Sequence, residues 1–236
     1  MRALGSWEAR SSLEPPFQMS HDIADRDCHR TFLFLASRLS RGNALIEESS
    51  YRYPVKAGSD LKIDHRVARK LESVLRVMAA KIMMKERPSG EDLGEAISLM
   101  VEFVDSYHHA KEERSLFPKV QGVGKEQQKV IYGFLVEHEF GRRAAHRIEQ
   151  EYALWVKGEE AAVEPLARFI LTYADSLKVH TAKEDEWFNL VDGKLLSASQ
   201  QKEVLERFAL IGAESPQTRE DFGRRVRRLS KMYLKE

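Results

Sequence analysis

The sequence lacks the features of a membrane, disulfide-bonded or nucleic-acid-binding protein. Its 236 residues include one cysteine, Cys28, so neither an intramolecular disulfide nor a Cys-x-x-Cys motif can form. No stretch approaches the roughly 18 consecutive apolar residues of a membrane span, and residues 1–17 carry acids and no apolar run, unlike a signal peptide. Acids and bases nearly cancel, leaving a formal charge of +1 that argues against nucleic-acid binding. We therefore predict a cytoplasmic protein with no membrane span.

The alternation of apolar and polar residues that indicates β-strands is also missing. Apolar residues instead recur every three or four positions in four long segments, at about 60–87, 89–120, 125–157 and 160–191. Ser59 or Asp60 can cap the first helix, Ser89 with Asp92 forms a capping-box pattern for the second, and Gly193 is expected to end the fourth.

The lengths of these segments and links predict the architecture. Because the links are short, neighbouring helices are expected to run antiparallel. The predicted fold is all-α: an antiparallel up-down four-helix bundle with additional N-terminal and C-terminal helices. We expect an N-terminal arm and appended helix in residues 1–57, the bundle in 58–193 and a C-terminal helical extension in 194–236.

One motif, His-x-Ala-Lys-Glu followed by an acid, occurs twice. It begins at His108 in the second helix and at His180 in the fourth. Residues four apart share a helix face, so His108 points the same way as Glu112, and His180 the same way as Glu184. Both pairs fall on the apolar stripes of their helices, where an unpaired charge is costly.

The other two helices each add one histidine to an apolar stripe, at His65 and His138. A single histidine in such a place is more often a hydrogen-bonded core residue than a ligand. As a set, however, four imidazoles and two carboxylates converging in a core suit two transition-metal ions, which carboxylates can bridge. Ferritin-like bundles use the opposite order, Glu-x-x-His, so a different site is indicated. The predicted metal ligands are His65, His108, Glu112, His138, His180 and Glu184.

The order of these motifs resembles the hemerythrin-like family, also called the hemerythrin HHE cation-binding domain, over roughly residues 60–191. The resemblance implies a non-haem centre with two iron ions, although zinc or another divalent cation is an alternative. By the family pattern, His65 and His108 would bind one iron, His138 and His180 the other, and the two glutamates would bridge them. The matching stretches are Asp64-His65, His108-His109-Ala110-Lys111-Glu112-Glu113, Glu137-His138 and His180-Thr181-Ala182-Lys183-Glu184.

The third helix departs from the pattern of the oxygen carriers in this family. They have a second histidine one turn after the first, where this chain has Arg142, and a guanidinium cannot ligate a metal. The position is open, filled by water or hydroxide, or filled by another residue. Arg142 itself either donates to a bound oxygen species or a bridging carboxylate, or pairs with an acid such as Glu139 or Glu72.

The departure favours redox chemistry, or binding of oxygen, peroxide or nitric oxide, over simple reversible oxygen carriage. Whether this chemistry is enzymatic is left open. Storage or delivery of iron or another cation without turnover is one alternative. A role in iron-sulfur cluster repair is another, although Cys28 alone does not reproduce the cysteine-containing N-terminal segment usual in such proteins.

Two further residues are expected beside the ligands. Tyr173, one heptad before His180, is either a core aromatic residue with a satisfied hydroxyl group or a source of a hydrogen bond or an electron. His109 lies about 100° around the helix from His108, so support of a ligand or a surface position is expected rather than ligation. Lys111 is expected on the outer half of the same helix.

Overall fold

The computed structural model describes residues 56–234, and the predicted N-terminal arm and appended helix lie almost wholly outside them. Within that range the chain forms six helices and no strand, so the all-α prediction is confirmed. The predicted domain boundaries stay predictions. The helices are α1 (Ala57–Met83), α2 (beginning with the α-helix Gly90–Leu99), α3 (Lys125–Val156), α4 (Val163–Leu190), α5 (Ala198–Glu214) and α6 (Arg219–Tyr233).

Helix α2 is composite and carries half of the repeated motif. After its α-helical start it continues through two π-helical stretches, Met100–His109 and Glu112–Leu116, to an α-helical end at Phe117–Gln121. In a π-helix the hydrogen bonds join residues five apart, so each turn holds an extra residue. The predicted inner stripe is nevertheless retained around the two histidines, since Val104, His108, Glu112 and Leu116 are all buried.

The first four helices pack with neighbours in antiparallel directions, as pairs of contacts at the two ends of each interface show. These pairs are Lys62–Asn189 and Arg76–Asp175 for α1 with α4, Gln127–Trp187 and Arg147–Phe169 for α3 with α4, and Phe117–Phe134 and Gly90–Tyr152 for α2 with α3. The four long helices thus alternate in direction around the bundle axis.

The interior consists of two apolar clusters separated along the bundle. One cluster contains Leu71, Leu75 and Ile170 and takes in Phe222 from α6. The other contains Leu61, Trp187 and Phe188 and takes in Phe208 from α5. The two C-terminal helices therefore contribute to the same interior as the bundle. In α1 the boundary between the clusters falls at His65, since Leu61 and Ala68 belong to different clusters.

Helix α1 begins at Ala57, and neither Ser59 nor Asp60 caps it. The cap comes from the C-terminal end of α4, where the Asp192 carboxylate accepts hydrogen bonds from the backbone N–H groups of Gly58 (2.8 Å) and Ser59 (2.9 Å). The predicted cap is wrong because the acceptor lies over 130 residues away in sequence.

Three other helix ends test the sequence-based expectations. The predicted cap of α2 is confirmed on one side, because Ser89 Oγ accepts a hydrogen bond from Asp92 N (3.3 Å). Helix α1 ends at Met83, earlier than expected. Gly193 does not end α4, because it lies within a π-helical turn, Val191–Leu195, that extends the helix. No helix within residues 56–234 is long and apolar enough to cross a membrane.

Candidate metal centre

Seven buried donor side chains meet in the middle of the bundle, between the two apolar clusters. Helices α1 and α3 each supply one histidine, α4 supplies a histidine and a glutamate, and α2 supplies two histidines and a glutamate. The structure thus brings together all six predicted ligands and adds a seventh, His109. The side chains are His65, His108, His109, Glu112, His138, His180 and Glu184.

Four of these side chains form a group that we call the carboxylate half: His65, His108, Glu112 and Glu184. Each offers one donor atom, and these atoms lie within 4.8 Å of one another. The Nε2 atoms of His65 and His108 are 3.1 Å apart. His108 Nε2 is 3.4 Å from Glu112 Oε1, and His65 Nε2 is 3.4 Å from Glu184 Oε2.

The other three, His109, His138 and His180, form the imidazole half, whose donor atoms also lie within 4.8 Å of one another. The rings of His109 and His138 stack with centroids 3.7 Å apart and planes 12° apart. The ring of His180 meets that of His138 edge-on, with centroids 4.8 Å apart. Three imidazoles from three helices therefore face one small space.

The two glutamates lie between the halves. Glu112 faces His108 with Oε1 and His138 with Oε2, each at 3.4 Å. Glu184 lies 3.0 Å from His180 Nε2 and 3.6 Å from His138 Nε2, in addition to its contact with His65. Two donors bound to one ion at about 2.0–2.2 Å lie about 2.8–3.6 Å apart. The spacing of these atoms therefore suits two carboxylates that bridge two ions.

Unsatisfied hydrogen-bonding atoms test whether the residues fit a metal. Among the described residues, nine buried side-chain nitrogen or oxygen atoms have no hydrogen-bond partner, and eight of them belong to this centre. Each such atom costs about 1–3 kcal/mol if left unpaired, and more if charged. A set of imidazoles and carboxylates is the donor set of a first-row transition metal. The eight atoms are His108 Nδ1, His109 Nε2, His138 Nε2, His180 Nε2 and both carboxylate oxygens of Glu112 and Glu184.

A ring of carboxylates holds the histidines from behind. For His108, His138 and His180 the Nδ1 atom faces an acid on the preceding helix. For His65, on α1, it faces an acid on α4. Such contacts fix the ring orientation and leave Nε2 free for a metal. Only the distance to Asp64 exceeds that of a direct hydrogen bond. The distances are 2.7 Å for His65–Asp185, 3.6 Å for His108–Asp64, 2.6 Å for His138–Glu113 and 2.9 Å for His180–Glu137.

Each of these four acids is in turn paired with a cation. Asp64 lies between Lys111 (2.9 Å) and Arg219 of α6 (2.6 Å). Lys111 is 2% exposed, so its predicted place on the outer half of the helix is wrong. The charges behind the histidines thus compensate one another, leaving the glutamates as the acids that would balance the metal. The remaining pairs are Arg69–Asp185, Arg142–Glu113 and Lys183–Glu137.

The surroundings of the two glutamates shift their pKa values in opposite directions. Burial and the nearby Glu184 carboxylate raise the pKa of Glu112 well above its usual range. Burial would also raise the pKa of Glu184, but the surrounding imidazoles outweigh it and hold that pKa well below its usual range. Burial lowers the pKa of His108 to about 4, whereas Glu184 and Glu137 outweigh burial and raise the pKa of His180 to about 9. Metal binding would therefore release protons from Glu112 and His180.

Arg142 neither enters the centre nor pairs with Glu72. Its guanidinium donates to Asp105 Oδ1 (2.8 Å) and to Glu113 Oε1 (2.6 Å), and it lies 4.0 Å from Glu139. The expectation of an acid partner is thus correct in kind, but the two main partners lie on α2, which the sequence did not indicate.

His109 was expected to support a ligand or to lie on the surface, yet it is 5% exposed, one of its ring nitrogens groups with donor atoms of His138 and His180, and its Nε2 atom is buried without a hydrogen-bond partner. The sequence contained one signal for it. Asp105 precedes His109 by four residues, and Asp105 Oδ1 lies 3.3 Å from His109 Nδ1. An acid one turn from a histidine repeats the pairing seen behind the other imidazoles.

Tyr173 is a buried aromatic residue beside the imidazole half, and the role of its hydroxyl group stays a prediction. It lines a cavity of about 20 Å³ together with His109, Gly141 and His180. A space of about 10–15 Å³ holds one water molecule, so this cavity has room for about one small molecule. Burial, assisted by the Asp105 carboxylate, raises the pKa of Tyr173, which keeps its hydroxyl group protonated.

Comparisons with known proteins agree with this geometry. The chain is 23% identical over 155 residues to uncharacterised proteins of Mycobacterium bovis and Mycobacterium tuberculosis. Each match covers 66% of this chain and 60% of the relative, so the chain spans about three fifths of the length of these curated relatives. No solved structure gives a significant match. Residues 57–191, more than half of the chain, match the family described as the hemerythrin HHE cation-binding domain, and the chain belongs to that family.

Proposed function

We propose that this protein binds two iron ions in the bundle and there binds or reacts with oxygen, peroxide or nitric oxide, in stress defence or sensing. His65 and His108 would hold one ion, His138 and His180 the other, and Glu112 and Glu184 would lie between them. Bound iron would supply redox chemistry and positions for a small ligand.

The observation that carries the proposal is the convergence of seven buried, unpaired polar atoms in one place, the eighth atom, His108 Nδ1, being turned towards Asp64. In a metal-free structural core, each of these atoms would lower stability. The carboxylates behind the histidines add support, because they orient Nε2 towards the centre rather than towards solvent.

The chain's own residues would control what reaches the ions. Phe188 packs against the His65 ring with centroids 5.3 Å apart, and Phe117 stacks near His138 at 5.7 Å, so apolar rings exclude water from one side. On the other side the small cavity beside Tyr173 borders His109 and His180. A diatomic molecule or peroxide suits this space, whereas a larger substrate does not.

Storage or delivery of iron or another cation without turnover is the second candidate, and iron-sulfur cluster repair the third. Deep burial disfavours rapid delivery of the metal ion. His65, Glu112 and Glu184 are 0% exposed, so the bundle would have to open before a bound ion could leave. The metal in the cell and a cytoplasmic location stay predictions, as does the expectation that no nucleic acid is bound.

Anaerobic reconstitution with ferrous iron, followed by exposure to air or to nitric oxide, tests the proposal. We expect about two irons per chain and, in air, near-ultraviolet absorption that is absent before exposure. The matched control is His146→Ala, because His146 is an exposed histidine of α3 outside the centre. Fewer than about one iron per chain would refute the di-iron proposal. Two irons without any response to oxygen, peroxide or nitric oxide would favour storage.

A further inference from the structure

We propose that His109 is a fifth histidine ligand, which completes the imidazole half in place of the histidine that α3 lacks, and that Arg142 positions it. This inference rests on the proposed metal site but changes its ligand set. It gives separate roles to two residues that the family pattern does not use: His109 would bind the metal, and Arg142 would act through carboxylates.

The geometry of His109 is that of a ligand. Its Nε2 atom is buried and has no hydrogen-bond partner, and one of its ring nitrogens lies within 4.8 Å of a donor atom of His138 and of His180. Its ring stacks on that of His138, so the two imidazoles lie side by side in the imidazole half. A histidine that served only as packing would be expected to satisfy this nitrogen elsewhere.

The other nitrogen of His109 is held as ligating histidines usually are. Asp105 Oδ1 lies 3.3 Å from His109 Nδ1, which places the proton there and leaves Nε2 with its lone pair. Asp105 is about 30% exposed, so it needs an anchor of its own to keep one orientation. Arg142 supplies that anchor through a 2.8 Å hydrogen bond to the same oxygen.

Arg142 also holds the acid behind the neighbouring ligand. A second nitrogen of its guanidinium donates to Glu113 Oε1 (2.6 Å), the atom that lies 2.6 Å from His138 Nδ1. One rigid, planar group thus joins the supports of His109 and His138, which a lysine could not do in the same way. The side chain at the position of the missing ligand instead positions two ligands.

The π-helical backbone of α2 accounts for two adjacent histidines that face the centre. An extra residue in each turn reduces the angle between successive side chains, so His108 and His109 can share the inner side of the helix. The two rings diverge by 49° and serve different halves, with centroids 5.5 Å apart. Unusual π-helical turns are common at functional sites.

Cobalt(II) titration of the metal-free full chain, followed by visible absorption and metal analysis, tests the proposal without any activity assay. The variants are His109→Ala, His109→Leu, which fills the space without a donor atom, and Arg142→Ala. The controls are His146→Ala and Arg143→Ala, both exposed on α3. Circular dichroism verifies that each variant retains its helix content.

Wild-type protein and both controls are expected to bind two cobalt ions. Both His109 variants should bind one ion normally and the second at least about 100-fold more weakly, and Arg142→Ala should weaken the second by about 10-fold. A folded His109→Leu variant that binds both ions as wild type does overturns the inference, and so does one that loses both ions equally. Failure of the wild-type protein to bind metal refutes the proposed function as well, whereas a variant result refutes only the role of His109.

Discussion

The two halves of the metal centre differ in what surrounds them. The carboxylate half is enclosed: His65 and both glutamates are 0% exposed, and the C-terminal helix α6 reaches it through Arg219. The imidazole half borders a small cavity lined by Tyr173 and Gly141. In the proposed di-iron site, the enclosed half would mainly retain its ion, whereas the half beside the cavity would meet the incoming small molecule.

The acids that contact the histidines of the two halves also differ in burial and in the cations that hold them. Asp64, behind His108, is fully buried and held by two cations, Lys111 and Arg219. The acids behind the imidazole half, Asp105 and Glu113, are partly exposed and share one cation, Arg142. Arg142 is one anchor shared by two acids, whereas buried Lys111 and partly buried Arg219 both hold Asp64. The contrast concerns these supports, since Asp185 behind His65 is also partly exposed. The difference indicates that retention and access are divided between the halves.

The largest effect is expected when both halves are broken together. The double variant Glu112→Met with Glu184→Met should reduce metal affinity by more than about 100-fold, because it removes both groups that lie between the ions. In the metal-free protein, Glu112→Met alone should raise stability by about 1–3 kcal/mol, since it removes a buried carboxyl group with no hydrogen-bond partner. Glu184→Met should lower stability, because the His180 imidazole loses its buried acid partner. Metal analysis and urea unfolding measure the two effects. Undiminished metal content would show that the glutamates do not bind it.

An intermediate effect should be confined to the carboxylate half. Arg219→Ala removes one cation from Asp64, which faces His108, and should weaken one of the two metal sites by about 10-fold. Competition titration with a chelator measures both affinities. Arg224→Ala on the same helix is the control, because its side chain is 64% exposed. Equal weakening of both sites would contradict a division between the halves.

The smallest effect should concern access and leave metal content unchanged. Gly141→Leu would place a side chain towards Tyr173, because a Cβ at Gly141 already lies 3.9 Å from Tyr173 Cε2. Filling the cavity should slow nitric oxide binding to the reduced protein by about 10-fold, since the cavity borders both His109 and His180. Stopped-flow absorbance measures this rate. Gly133→Leu is the matched control on α3, where an added Cβ meets nothing within 4 Å. An unchanged rate in Gly141→Leu would place the entry route elsewhere.

Sequence reasoning was strongest where the signal was local. The apolar period indicated four long helices, and the fixed spacing of His108 with Glu112 and of His180 with Glu184 placed each pair on one face. Donors on the inner stripes of helices in one bundle must meet near its axis, so the convergence of six side chains could be expected from their spacing along the chain. Their role as ligands stays a prediction that metal analysis must test.

Sequence reasoning was weakest where distant segments meet. The acid behind each predicted ligand comes from another helix, as with Asp185 behind His65 and Glu137 behind His180. The cap of α1 likewise comes from Asp192 rather than from Ser59. Helical periodicity reports which face of a helix is apolar, but not which neighbour that face meets or at what height.

The sequence by itself determined an all-α chain with candidate metal ligands on its inner stripes, because both features follow from spacing along single helices. Only the tertiary structure decided the place of His109 and the partners of Arg142. The backbone of α2 adopts π-helical turns that its apolar period did not indicate, and Arg142 finds its acids on a different helix. Both outcomes depend on how packed helices fit against one another, which no local pattern encodes.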